Sequence, residues 1–472
     1  MNAIAPSNAP RASRRAARAL AWGVVVGAMF AGPAPVSAQE VIDSEEPPPT
    51  SVEDSVSPIQ RFMRLAPQRP GVFPWLKDQL KDTPPVFRDT KLDVNLRSFY
   101  FDRNKPGNVE NEAWAIGGAA SYRSGWIADL VSGGATFYWS QDAYGPEDKD
   151  GTLLLKPGQE DYWVVGELYG KVKLAPDNFL NLGRYGGYNT PFLNRNDTRM
   201  TPNTFQGYTL TGAYKVEDSD LSLKYGGGYI DKIKLRNADH FVYMSTAAGA
   251  NVDRGVALGG GVVQYGPFYL GAIDYYSPDI INIGYTEARA TTKATEDLGL
   301  LLALQYSDQR SVGDDKLSGS YFSTRQFGVK GEASYLGAIL TLAYTITADD
   351  ADMQTPWGGY PGYTSVQVQD FDFANQQAFL VKASYDLSKL RLDGVSAYAL
   401  FVHGWAQEDP STGDSVPNQD EYDANLQWTP KGIAMIDGLS LRLRYALVHN
   451  WEGPGNDIHD IRVIVNYDFS VM

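Results

Sequence analysis

The feature that most constrains the fold is a period-two alternation of apolar and polar side chains that runs to the end of the chain. Between residues 439 and 447, Leu439, Leu441, Leu443, Tyr445 and Leu447 oppose Ser440, Arg442 and Arg444. Between residues 461 and 469, Ile461, Val463, Val465, Tyr467 and Phe469 oppose Arg462, Asn466 and Asp468. Because successive side chains of a strand point to opposite faces, both segments are predicted to be β-strands. Two such strands fit a soluble sandwich as well as a membrane barrel.

The same alternation recurs from Lys91 onward, and its polar face often carries long ionic side chains. Arg97, Lys330 and Lys382 each lie on the polar side of such a run. So many charges do not fit into one dry core, because each unpaired buried charge costs several kcal/mol. The polar face is therefore expected to meet water and the apolar face lipid, as in an all-β transmembrane antiparallel barrel.

The first 38 residues have the composition of an export signal. Four arginines precede an apolar run from Ala19 to Ala31, and the segment ends in the small residues Val36-Ser37-Ala38. We interpret residues 1–38 as a bacterial secretory signal peptide, because the apolar run is too short to span a bilayer. Residues 39–90 begin acidic and proline-rich and are predicted to form a partly disordered periplasmic extension. Residues 91–472 are predicted to form the barrel.

Charge and cysteine content exclude several classes of function. Without the four arginines of the signal segment the formal net charge falls from −15 to −19, which argues against a nucleic-acid partner. The chain has no cysteine, so disulfides and thiol chemistry are excluded. The sequence contains no spacing typical of a metal site or a phosphate loop, and no cofactor is predicted.

The polar connections between the predicted strands differ widely in length. Long ones cover residues 142–159, 189–203, 307–319, 348–362 and 407–419, whereas residues 176–178 form a tight turn. Long extracellular loops and short periplasmic turns are typical of outer-membrane barrels. With strands of about 10 residues, residues 91–472 support roughly 16 to 20 strands, which is enough to enclose a water-filled lumen.

Several motifs, taken in their order along the chain, carry a resemblance to a known family. They are LRSFYFDR (96–103), EAWAIG (112–117), NTPFLNRNDTRM (189–200), PNTFQG (202–207), TPWGGYPGY (355–363), Asp370-Phe371 and the last two strands. From Lys91 to Phe469 the chain resembles the OprD-type family of outer-membrane porins, substrate-selective channels for small solutes that mostly bear a carboxylate. The resemblance implies an 18-stranded barrel and a third loop, 191–207, that folds into the lumen.

The resemblance also implies a row of arginines along one wall of the constriction. Carried over residue by residue, the row consists of Arg97, Arg442, Arg444 and Arg462. One departure follows Asp370-Phe371, where the family has an arginine and, three residues on, a glutamate. This chain has Phe373 and Gln376 at those positions.

Barrel closure supports such a row on physical grounds. Closure pairs the first strand with the last, which brings Arg97 to the wall that holds the other three arginines. At an effective dielectric constant of about 20, two charges about 4 Å apart interact by about 4 kcal/mol, so an anion would relieve the repulsion. Two interpretations remain open. The row selects anions, or it pairs with acidic lumen residues such as Asp93, Asp423, Asp468 or Glu332.

Further candidates lie on the strands and in the loops. Lys382 is a pore-lining candidate, since it shares the polar face of its strand. Asp197 and Arg199 either pinch the pore or form a solvent-facing turn held by their mutual contact. Three loop aromatics, Trp357, Tyr360 and Tyr363, either line a loop over the mouth or pack that loop down.

The sequence therefore predicts a porin for passive, arginine-guided diffusion of small hydrophilic solutes that bear a carboxylate, such as amino acids and organic or aromatic acids. The alternative is a general, non-selective porin. An outer-membrane enzyme is disfavoured because a lipase-like barrel needs serine and histidine side by side on the lipid-facing wall. His403 would not meet this requirement, because it falls on the lumen face if Tyr398, Leu400 and Val402 point outward, as their apolar character suggests.

The predicted location is the outer membrane of a Gram-negative bacterium. The expected partners are small-molecule solutes, outer-membrane lipid and lipopolysaccharide, and the barrel-assembly machinery, with no nucleic acid. The protein is expected to be a monomer or a weak homotrimer.

Overall fold

The computed structural model describes residues 71–430, 436–451 and 455–472. The predicted signal peptide and most of the predicted extension lie outside these residues. The described chain contains three short helices, α1 (Pro74–Leu80), α2 (Pro85–Arg88) and α3 (Met244–Ala247). No described helix is long and apolar enough to cross a membrane. Ahead of α1, the backbone N–H groups of Val72 and Phe73 donate to the carbonyls of Ser470 and Val471 at 2.8 and 3.0 Å.

The alternating segments form nineteen strands in a single sheet. In chain order they are β1 (Lys91–Lys105), β2 (Val109–Arg123), β3 (Val131–Tyr144), β4 (Tyr162–Ala175), β5 (Asn178–Tyr185), β6 (Thr204–Lys215), β7 (Leu221–Lys234), β8 (Val242–Tyr243), β9 (Val256–Tyr265), β10 (Phe268–Ser277), β11 (Ile281–Lys293), β12 (Leu298–Arg310), β13 (Ser323–Tyr335), β14 (Ala338–Thr347), β15 (Gln377–Asp386), β16 (Val395–Trp405), β17 (Gln419–Trp428), β18 (Leu439–Asn450) and β19 (Ile458–Ser470). Short 3-10 turns occupy Pro106–Asn108, Glu147–Lys149 and Leu387–Leu390.

The sheet closes on itself. β1 pairs with β2 on one side and with β19 on the other, which places Arg97 opposite Gly117 and Asn466. Among the described residues β8 pairs only with β7, which also pairs with β9, so eighteen strands form the ring. Each of the eighteen ring strands, as far as the structure describes them, pairs on both sides, and this satisfies the backbone groups of a sheet in lipid. The predicted 18-stranded antiparallel barrel is confirmed.

The two rims of the barrel differ in the length of their connections. One rim holds the start of β1, the end of β19 and tight turns such as residues 176–177 and 336–337. The other rim holds long connections, among them loop A (186–203), the connection 235–255 and loop B (348–376). This asymmetry matches the short periplasmic turns and long extracellular loops of outer-membrane barrels.

The two faces of the strands separate as the alternation predicts. Leu443 and Val463 lie on the exposed outer wall. Arg442, Arg444 and Arg462 lie on the opposite face of the same two strands and point into the barrel. An apolar exterior and a charged interior are the arrangement that a membrane barrel requires.

One face assignment is wrong. Tyr398, Leu400 and Val402 were expected outside, but Leu400 and Val402 are buried inside the barrel, and His403 lies on the outer face. The physical reason is the connection between β14 and β15, because its Phe371 packs against Leu400 and Val402 in one buried cluster. On this part of β16, apolar side chains face inward because a loop covers the inner wall.

One side of the inner wall is apolar and covered by loops. Loop A, loop B and the connection 235–255 pack there against β10 and β11. The buried cluster comprises Tyr188, Phe192, Leu193, Met244, Met353 and Trp357 from the connections, with Tyr275, Ile281, Ile283 and Tyr285 from the strands. The five basic strand residues that are predicted to line the pore lie on the other side, on β15, β18, β19 and β1, and this wall holds the candidate site.

Candidate functional site

Loops A and B fold into the lumen and are fastened to each other. Leu193 of loop A and Trp357 of loop B form a backbone bridge. The Trp357 side chain is fully buried, and its Nε1 donates to the carbonyl oxygen of Met244 at 3.1 Å. The two loops therefore act as one packed body that narrows the barrel. Gly207, placed in the third loop by the resemblance, already belongs to β6.

The aromatic residues of loop B pack this loop down. The ring of Tyr360 contacts that of Phe192, with centroids 6.2 Å apart. The hydroxyl of Tyr363 donates to Oε1 of Glu287 on the inner wall at 3.0 Å. Together with the buried Trp357, these contacts favour the packing interpretation over an aromatic lining of the mouth.

Arg97 anchors loop A to the first strand. Its Nε donates to Oδ1 of Asn466 at 2.7 Å, and its Nη1 donates to Oδ1 of Asp197 at 2.7 Å and to the carbonyl oxygen of Arg199. The Arg97 side chain is only 4% exposed. Asp197 therefore forms its ion pair with Arg97 on the barrel wall. The sequence had suggested a local contact between Asp197 and Arg199 instead.

Arg462 belongs to a dense cluster around the ring of Phe101. The guanidinium carbons of Arg103, Arg199 and Arg462 lie 5.2, 4.8 and 4.8 Å from the ring centroid. Asp460 accepts from Nε of Arg462 at 2.8 Å and from Nε of Arg103 at 2.7 Å. Burial, with Arg462 close by, lowers the pKa of Arg199 from its ordinary value. Cation–π contacts and a shared carboxylate hold this cluster together.

Arg442 and Arg444 lie on the inner face of β18 and are half-buried. Nε of Arg442 donates to Oδ1 of Asn425 at 2.6 Å. Arg444 lies directly across from Arg462 in the strand register. Arg442 and Arg444 are two positions apart on one face of β18. Because same-face residues of a strand are about 6.7 Å apart, these two side chains present successive positive charges along the lumen.

Lys382 extends this positive wall from β15. Its Nζ lies 4.4 Å from the centroid of the Tyr398 ring on β16, which is close enough for a cation–π contact. Lys382, Arg442 and Arg444 are termed the basic patch. The three side chains share one wall, whereas Arg97 and Arg462 are almost fully buried beside the loops that they hold.

Sequence reasoning missed two aromatic members of the site, Phe101 and Tyr398. Extending the alternation of β1 past Arg97 places Phe99 and Phe101 on the same inner face, so this signal was present in the sequence. Tyr398 carried no such signal, because both faces of β16 are apolar.

Burial raises the pKa of two carboxyl groups of loop B, those of Asp370 and Asp372. Burial raises the pKa of Asp372 to about 7, and the nearby carboxylates of Asp370 and Asp352 add to the shift. The described residues contain no cluster of three or more side chains that could hold a metal ion.

A closed barrel of eighteen strands, with tight turns on one rim and long loops folded into a charged lumen, is the architecture of an outer-membrane porin. The family model "outer membrane porin, OprD family" matches residues 86–471. The chain belongs to this family. No curated protein sequence matches the chain.

Solved structures with the same fold are porins of Gram-negative bacteria. OccK9 (OpdG) of Pseudomonas aeruginosa is 23% identical, with a TM-score of 0.72 over 82% of this chain and 100% of that chain. OpdK of Pseudomonas aeruginosa, solved with vanillate, is 20% identical, with a TM-score of 0.70 over 81% and 99%. OccAB3 of Acinetobacter baumannii is 19% identical, with a TM-score of 0.72 over 81% and 99%.

Family membership decides several of the predictions. OprD-family porins are passive channels of the Gram-negative outer membrane and not enzymes, so the predicted class, location and absence of enzymatic activity are confirmed. The solutes of such a porin are small molecules, and its surroundings are outer-membrane lipid.

Proposed function

We propose that this porin mediates passive, arginine-guided diffusion of small hydrophilic solutes that bear a carboxylate, such as amino acids and organic or aromatic acids. The observation that carries the proposal is the basic patch, in which Lys382, Arg442 and Arg444 share one lumen wall. Closely spaced cations in a pore attract anions, and several weak sites in series let the solute leave again.

The two groups of site residues have different roles in this proposal. Arg97 and Asp197 hold loop A at the constriction, and Arg199 and Arg462 form the cluster around Phe101. These buried side chains shape the narrow part of the pore, whereas the basic patch contacts the solute. The pairing interpretation thus fits Arg97 and Arg462, and the anion-selecting interpretation fits the basic patch.

One structural relative was solved with a carboxylate ligand. OpdK was solved with vanillate, an aromatic carboxylate. At 20% identity this likeness concerns the fold of the two proteins, so carboxylate transport by the present chain rests on its own cations.

The test is the reversal potential of the purified porin in planar bilayers under a KCl gradient, combined with liposome swelling. The proposal expects anion preference and faster swelling with amino acids and aromatic acids than with neutral sugars of similar size. A general porin would show no ion preference and would rank solutes by size alone, and this result would reject the proposal.

A further inference from the structure

A turn at residues 367–369 in loop B is bound to the inner wall just above the basic patch. The backbone N–H groups of Val368 and Gln369 donate to Oε1 and Oε2 of Glu421 on β17, both at 2.8 Å. The backbone N–H of Gln367 donates to Oδ2 of Asp423 at 3.3 Å. Two carboxylates of one strand therefore receive three consecutive backbone donors.

The same turn is also held from β19. The side-chain Nε2 of Gln367 donates to Oδ1 of Asp460 at 2.8 Å, and Nη2 of Arg462 donates to the carbonyl oxygen of Gln367 at 3.2 Å. On β18, between the two anchoring strands, Ala446 and Val448 face inward and are fully buried. The turn thus bridges β17 and β19 across small and apolar side chains.

Strand register fixes where this turn lies relative to the arginines. Ala446 lies opposite Asp423 and Asp460, and Arg444 is the next inward residue of β18 toward the short-turn rim. Arg462, opposite Arg444, contacts the turn and is 3% exposed. A solute that enters from the long-loop rim therefore passes the turn before it meets Arg444 and Arg442.

We infer that Glu421 is a positioning residue of the pore. Its carboxylate fixes the 367–369 turn over Arg462, so that Arg442 and Arg444 meet the solute while Arg462 faces the loop. Release of the turn would expose Arg462 to the lumen and lengthen the accessible row of cations. The inference rests on the porin fold and on these contacts, and it holds whether or not the channel prefers carboxylates.

The chain has no cysteine, so an introduced thiol reports access to a single position. Arg462→Cys is labelled with a membrane-impermeant methanethiosulfonate reagent in four backgrounds: unchanged, Glu421→Gln, Val368→Pro and Val368→Ala. Glutamine has one carbonyl oxygen in place of two carboxylate acceptors, and proline lacks the N–H that donates to Glu421 without changing charge. Val368→Ala is the matched control because it keeps the N–H, and Arg442→Cys reports an accessible position in every background.

We expect slow labelling at position 462 in the unchanged and Val368→Ala backgrounds, and labelling at least about tenfold faster with Glu421→Gln or Val368→Pro. The heat-modifiable shift of the folded barrel in gels verifies that each variant has assembled. Fast labelling at position 462 in the unchanged background would overturn the inference. Equally slow labelling in every assembled variant would overturn it as well. Neither outcome depends on the reversal potential. Failure of this inference can therefore be distinguished from failure of the proposed function.

Discussion

The basic patch is expected to set the permeability of carboxylates through this porin. The double substitution Arg442→Ala with Arg444→Ala removes two charges about 6.7 Å apart on the inner face of β18. A carboxylate about 4 Å from each guanidinium gains about 1 kcal/mol per contact at the dielectric constant of water, and more at lower dielectric constants. The two contacts together give about 2 kcal/mol, and about 1.4 kcal/mol corresponds to a factor of ten. We therefore expect carboxylate permeability to fall by at least about tenfold at low salt.

The assay is uptake of a radiolabelled carboxylate into proteoliposomes, with a neutral sugar of similar size as the internal reference. Arg325→Ala is the matched control, because Arg325 is an exposed arginine on the same face of β13 as the exposed Phe327. The difference should fade at about 1 M salt, where the screening length is about 3 Å. If the double variant keeps the carboxylate-to-sugar ratio of the unchanged protein at low salt, the assignment of solute contact to the basic patch is wrong.

Three further predictions concern the loops that narrow the pore. Asp197→Ala leaves the buried Arg97 without its carboxylate, so we expect the barrel to lose roughly 3 kcal/mol of stability in denaturant titration, and an unchanged midpoint would contradict the anchoring role. Trp357→Ala removes a fully buried ring at roughly 3 to 5 kcal/mol, so loop B should be cleaved by protease faster while the barrel stays intact. Because the pKa of Asp372 is about 7 in the packed loop and 3.8 ordinarily, the packed loop retains a proton that the unpacked loop releases. Loop B should therefore become more sensitive to protease as the pH rises from about 4 to 7, and Asp372→Asn should weaken this dependence.

The barrel could be predicted from the sequence because the alternation of apolar and polar residues is present within each single strand. Leu443 and Arg444 are neighbours with incompatible preferences, and a strand is the only regular structure that places them on opposite faces. The same local signal placed Arg442, Arg444 and Arg462 on the inner face. It fails on β16, where Val402 is apolar and yet faces inward, because a loop covers it.

The contacts of the site depend on long-range packing, and for this reason the sequence did not predict them. Arg97 and Asp197 are a hundred residues apart, and their pairing follows from the way loop A enters the lumen. The contact between Glu421 and Val368 likewise joins a strand to a distant turn. The sequence of this turn does not indicate that it binds the strand. Alternation predicts which side chains face inward, and loop packing then decides which of these reach water.

In the function proposed here, the negative charge of the solute guides its passage along the basic patch. The most direct measurement compares benzoate with benzamide, which differ little in size but differ by one charge, for permeability through the unchanged porin in liposomes at low salt. We expect benzoate to pass several times faster than benzamide. Equal rates, or faster passage of benzamide, would contradict it.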